Sequence, residues 1–213
     1  MGKIVLATII ISGSAKWLLK VGGNKEKWYG SDRIFMYVMT VFGAMTVNYS
    51  EQCTEYGWVV SNLRLLAGCL LAGGLLSAAY MDRRNCWVYN YVWWWCLPWA
   101  GILGLTAGGG FHGIVAVLVF VMLQQLLFSR MYGKADCHAF SVCALAECGN
   151  AVGMVGFLLQ MFLSVVLLTI VQLFRGNVTP RGRLREPQPF IPYIITAFFS
   201  VTFLESVFRT TYI

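Results

Sequence analysis

Apolar residues in this chain run in long unbroken blocks, without the alternation of a half-buried strand or the single stripe of a surface helix. Between Asn85 and Ser129 there are 45 consecutive residues with no Asp, Glu, Lys or Arg. Crossing the hydrocarbon core of a bilayer takes about 20 helical residues, so this block holds two helices and a turn. The turn falls at Ala107-Gly108-Gly109-Gly110, where serial glycines break both helix and strand patterns, and the helices cover roughly 86–106 and 111–129. Further uncharged runs occupy 34–50, 65–81, 148–174 and 187–204. The run from Cys137 to Glu147 is shorter and predicts a helix crossing part of a bilayer, closed by Gly149-Asn150. The first block, Ile4 to Ala15, ends at Lys16. It reads as a span whose lysine snorkels to the interface or as an interfacial helix. A cleaved signal peptide is the alternative, with Lys3 ahead of the apolar core and Ser12-Gly13-Ser14-Ala15 behind it. The pattern predicts an all-α, polytopic membrane bundle of about eight segments.

Composition narrows the classes. Hydrophobic residues make up 58% of the 213 positions, charged residues only 12%, and the mean hydropathy is +0.67. Soluble domains carry about 25% charge, so an ordinary soluble enzyme, a disordered chain and a nucleic-acid binder are all excluded. The net charge of +7 has a topogenic explanation, because Lys and Arg accumulate in cytoplasmic loops. Placing Asp82-Arg83-Arg84 inside puts the loops 20–33, 82–85, 129–136 and 174–189 on the same face, and these hold 12 of the 16 basic residues. The 50–62 loop, placed outside, carries Glu51 and Glu55 and no Lys or Arg. This alternation requires the short 137–149 segment to cross. It predicts a multi-pass membrane protein in contact with lipid.

Seven cysteines lie at 53, 69, 86, 96, 137, 143 and 148, none in C-x-x-C spacing, and there are two histidines, His112 and His138. A zinc site needs about four convergent ligands; none is expected here. The cysteines read as small hydrophobes. No nucleotide-type motif is visible, and no cofactor is expected.

Two aspartates fall at helix ends on the predicted inner face: Asp82 closing the third segment and Asp136 opening the sixth. Ionisable residues at or in a bilayer are functional candidates by default. Each also has a plain structural reading, Asp82 as an ion pair with Arg83 and Asp136 as an N-cap. Together they have a chemistry that neither has alone. Two neighbouring carboxylates cannot both ionise, so one keeps its proton near neutral pH. The charged partner activates a water and the protonated one donates to a carbonyl oxygen, which is aspartic-protease chemistry.

The surrounding residues carry a family resemblance. Met131-Tyr132-Gly133-Lys134-Ala135-Asp136-Cys137-His138 resembles the G-x-G-D motif of the type IV prepilin and preflagellin peptidases. Asp82-Arg83-Arg84, followed by Val88-Tyr89-Asn90, resembles that family's helix-ending Asp, basic turn and I-P-N. Pro189-Phe190-Ile191-Pro192-Tyr193 resembles the P-F-x-P-F that opens its last helix. The three motifs occur in the family's order over about residues 63–207. Ala135 stands for the second Gly, His138 for a frequent Lys, and Tyr89 for the Pro of I-P-N. The paired C-x-x-C insertion of larger members is absent, as in the short form.

The resemblance implies a six-helix peptidase core over 63–213 and an extra N-terminal hairpin over 1–62. It implies cleavage of the short basic leader of prepilin-like substrates at the cytoplasmic face. Asp82 and Asp136 would be the catalytic pair, with Gly133 and Ala135 permitting close backbone approach. Asn90 would bond a catalytic loop or substrate backbone, or simply join helices. His138 would tune the pair or sit solvated at the interface. Pro189, Phe190 and Pro192 would open the last helix. The Trp87, Trp93, Trp94, Trp95 and Trp99 cluster reads as packing or interfacial anchoring. Gly73, Gly74, Gly101 and Gly104 read as sites of close helix approach. The competing functional classes are an inactive homologue that binds such substrates and a small proton- or cation-coupled transporter.

Overall fold

A computed structural model describes residues 2–23, 30–52, 57–106, 111–130, 133–147, 153–175 and 188–212. The Ala107–Gly110 turn, the 50–62 acidic loop in part, the motif residues Met131 and Tyr132, and Arg181, Arg183 and Arg185 lie outside the described residues. Among the described residues eight α-helices follow in order: α1 (Gly2–Val21), α2 (Gly30–Gln52), α3 (Trp58–Asn85), α4 (Asn90–Thr106), α5 (Phe111–Leu126), α6 (Lys134–Glu147), α7 (Gly153–Phe174) and α8 (Ile191–Tyr212). A 3₁₀ turn, Phe128–Arg130, follows α5. Among the described residues there is no strand. Among the described residues four helices are long and apolar enough to cross a membrane: α1, α3, α7 from Val155, and α8 through Phe208.

Several polar side chains lie inside the bundle while large apolar ones face outward. Gln124, Gln160, Gln172 and Ser164 are fully buried, while Leu105, Leu126, Val155 and Phe162 are about two-thirds exposed or more. A soluble monomer rarely exposes so much contiguous apolar surface.

α3 is the central helix. It is buried without a break from Leu71 to Asp82 and packs against α1, α2, α4 and α8. Its consecutive glycines serve opposite neighbours. A side chain on Gly73 would collide with Ser14 of α1, and one on Gly74 would meet Cys96 Sγ and the Trp95 ring of α4. Gly101 differs from its expected role, because no atom lies within 4 Å of where its side chain would stand.

The fourth helix begins later than its uncharged run suggests, at Asn90 and not at 86. Cys86 adopts a left-handed conformation (φ 53°) and its N–H bonds the Asp82 carbonyl at 2.8 Å, which stops α3. Glycine or asparagine usually takes that position, so the stop carries no sequence signal. The four residues from Cys86 to Tyr89 then turn the chain back. The fifth helix likewise ends at Leu126, three residues early, and passes into the 3₁₀ turn.

Candidate active site

One end of the bundle gathers the C-terminus of α3 and the N-termini of α2, α4, α6 and α8. Asp32 at the start of α2 ties that helix to the end of α3, accepting Arg83 Nε at 2.8 Å and Arg84 Nε at 3.4 Å. Arg83 therefore pairs with Asp32, and the expected Asp82–Arg83 ion pair does not form.

Asp82 lies one turn inside α3 and is 5% exposed. Its Oδ2 accepts the backbone N–H of Ile191 at 2.9 Å, and the Phe190 N–H also faces the carboxylate. A helix leaves its first N–H groups without intrahelical partners and presents positive potential there. Asp82 thus caps α8 from across the bundle. The Pro189-Phe190-Ile191-Pro192 segment makes this possible. Pro192 needs no N–H in the first helical turn, and buried Phe190 packs edge-on against Phe140 of α6 at 5.8 Å. Pro189 leads into this turn, half-buried.

Asp136 sits in the first turn of α6. Its Oδ2 accepts the Gly133 N–H at 3.2 Å, and the Gly133 carbonyl accepts the N–H groups of Asp136 and Cys137 at 3.0 and 3.2 Å. The cap residue is therefore Gly133, and Asp136 is the third helical residue reaching back, one half of a capping box. A side chain on Gly133 would stand 3.1 Å from Asp136 Oδ2, so the carboxylate would have to shift by a few tenths of an ångström to admit one. Ala135 packs half-buried against the core.

Asp82 and Asp136 line one cavity of about 460 Å³, together with Asn90, Trp93, Lys134 and His138. α6 is about 21 Å long and is not among the span-length helices, and Asp136 precedes its apolar stretch. Burial pushes the Asp136 carboxyl up to about 7, the negative charge of Asp82 adds to the rise, and the Gly133 hydrogen bond opposes it. Asn90, exposed at the start of α4, contributes a polar wall. His138 turns away from a direct bond to Asp136. Its Nδ1 accepts from Gln125 Nε2 of α5 at 3.3 Å, with the Trp93 ring 6.0 Å away.

All nine candidate residues thus lie at or beside this end of the bundle, seven of them on α6, at its Gly133 cap or at the α8 entry. Sequence reasoning missed a second polar cluster at the opposite end. Glu147, 3% exposed, accepts the Thr202 hydroxyl at 3.1 Å, and its Oε2 has no hydrogen-bond partner among the described residues. Arg64 lines the same small cavity and donates to the Leu103 carbonyl and the Thr106 hydroxyl. Both residues bound uncharged runs, so they read as loop markers; their burial is a tertiary effect. No group of three or more His, Cys, Asp or Glu fit to hold a metal occurs among the described residues.

No protein-family model matches this chain, and neither a curated protein nor a solved structure matches it significantly.

Proposed function

We propose that this protein is a multi-pass membrane aspartic endopeptidase of the prepilin peptidase type, with eight membrane segments and its active site at the cytoplasmic face of the plasma membrane. The observation that carries the reading is the convergence of Asp82 and Asp136. They are 54 positions apart, come from different helices, and share one cavity close enough for the charge of one to act on the other. The motif resemblance in the sequence supports it, as does the gathering of basic Arg83, Arg84 and Lys134 at the same end.

In this reading the pair shares one proton near neutral pH. Asp82, oriented by its hydrogen bond from the α8 N-terminus, serves as the base and takes a proton from a water in the cavity. Asp136, which keeps its proton, hydrogen-bonds the oxygen of the scissile carbonyl. Water attack gives a tetrahedral intermediate. Its collapse breaks the C–N bond, and the proton taken by Asp82 passes to the leaving amine. Neither a metal nor a covalent enzyme intermediate is required. The substrate is a precursor with a short Lys/Arg leader followed by an apolar helix.

The test is purified protein in detergent mixed with such a precursor, read by mass spectrometry. The expected product has lost the leader in a single cut at its junction with the apolar helix. An uncut precursor that still binds would favour an inactive homologue. Ion flux through reconstituted vesicles, with no cleavage, would favour a transporter.

A further inference from the structure

The cavity that holds the two carboxyls does not stand alone. A second cavity, of about 340 Å³, lies between α4, α5 and α6. Asn90, Trp93 and His138 line both, so the two meet at these side chains. The lining of the second recurs at helical spacing. α4 supplies residues 90, 93, 94 and 97, α6 supplies 138, 141 and 142, and α5 supplies 121 and 125. Positions three and four apart share one helix face, so the cavity is a groove running along the helices away from the carboxyl pair. Seven residues of α4 rise about 10 Å, which matches about three residues of extended chain at roughly 3.3 Å each.

The chemistry changes along this path. The first cavity contains Asp82, Asp136 and Lys134, whereas no charged side chain lines the second. The groove walls are Trp94, Leu97, Val121 and Val142, with Gln125, His138 and Ser141 as polar points. Trp94 and Leu97 are 74% and 47% exposed, which leaves the groove open along one side.

We propose that this groove is a specificity subsite that takes about three consecutive apolar residues of a polypeptide, held extended, on one side of a peptide bond placed at Asp82 and Asp136. The proposal rests on the peptidase reading above. An extended guest brings backbone N–H and C=O groups that need partners in an apolar setting. Gln125 and His138, now bonded to each other, exchange that bond for bonds to the guest. The Ser141 hydroxyl donates to the Cys137 carbonyl at 2.8 Å, and its oxygen remains an acceptor. The small side chains of Ser141 and Val142 set how much bulk the far end of the groove admits.

The experiment uses the full chain carrying Asp136→Asn, to hold the complex uncut. The precursor carries a photoreactive leucine at the first, third or tenth apolar residue after the leader. The first and third should cross-link to peptides containing Leu97, Val121 or Val142, and the tenth should not. In the cutting protein, Ser141→Phe should lower cleavage of a precursor with Trp at the third apolar residue about 10-fold or more. A precursor with Ala there should change by no more than about twofold, in the range that pocket size supplies. Cross-links from the first three residues to α2, α7 or α8 would overturn the subsite, as would equal losses on the Trp and Ala precursors. Absence of any cleavage by the unsubstituted protein would instead remove the peptidase reading itself.

Discussion

Asp82 and Asp136 each carry a structural duty alongside the proposed chemical one. Asp82 satisfies the buried N–H of Ile191. Asp82→Asn keeps an oxygen for that bond, and its melting temperature in detergent should stay within a few degrees of the parent. Asp82→Ala leaves a buried donor unpaired, at a cost of about 1–3 kcal/mol, and should melt measurably lower. Asp136 has a different signature. Its carboxyl is held up to about 7, against 3.8 for an ordinary Asp. The folded state therefore binds more protons than the unfolded state across that interval, and stability falls as pH rises from about 4 to about 7. Asp136→Asn abolishes this term, so melting curves should show the variant gaining on the parent over that window and levelling off above it. Cleavage should decline above about pH 7, as the acid loses its proton. The two aspartates were legible as a pair because charge is scarce in this chain. The partner of Asp82 was not, because the Ile191 N–H belongs to a helix 109 positions away.

At the level of helices, the uncharged runs located all eight, and the errors sit at ends fixed by tertiary or backbone detail. α4 starts at Asn90 because Cys86 takes a left-handed turn that no glycine announces. The glycine pairs divide in a way that spacing could not reveal. Gly74 faces Cys96 Sγ and the Trp95 ring at 2.5 and 3.0 Å from its missing side chain, while Gly101 faces open space. Gly74→Ala should push α4 off α3 and destabilise by about 1–3 kcal/mol, as overpacking does. Gly101→Ala should be neutral or slightly stabilising, since alanine is the better helix former by up to about 1 kcal/mol. Thermal melts of the two variants, side by side, check both expectations. Because α4 carries Asn90 and Trp93 into the cavity, only the first should also slow cleavage.

Across the whole molecule, the helix ends sort into two groups. One end holds the Asp32–Arg83–Arg84 cluster, the Asp82 cap and the Asp136 turn. The other holds Glu147, Thr202 and Arg64. The loop alternation inferred from basic residues placed the first group on one face, and the contacts among α2, α3, α6 and α8 are consistent with it. The second group was invisible because a charge at the edge of an apolar run looks alike whether it enters solvent or turns inward. The account therefore turns on whether the two carboxyls at the first end act as one catalytic unit. The most direct test is the single-turnover cleavage rate of a leader-bearing precursor by the parent, Asp82→Asn, Asp136→Asn and the double variant, all shown to be folded. The account predicts that either single substitution abolishes cleavage as completely as both together. Cleavage persisting at near the parent rate in either single variant would contradict it.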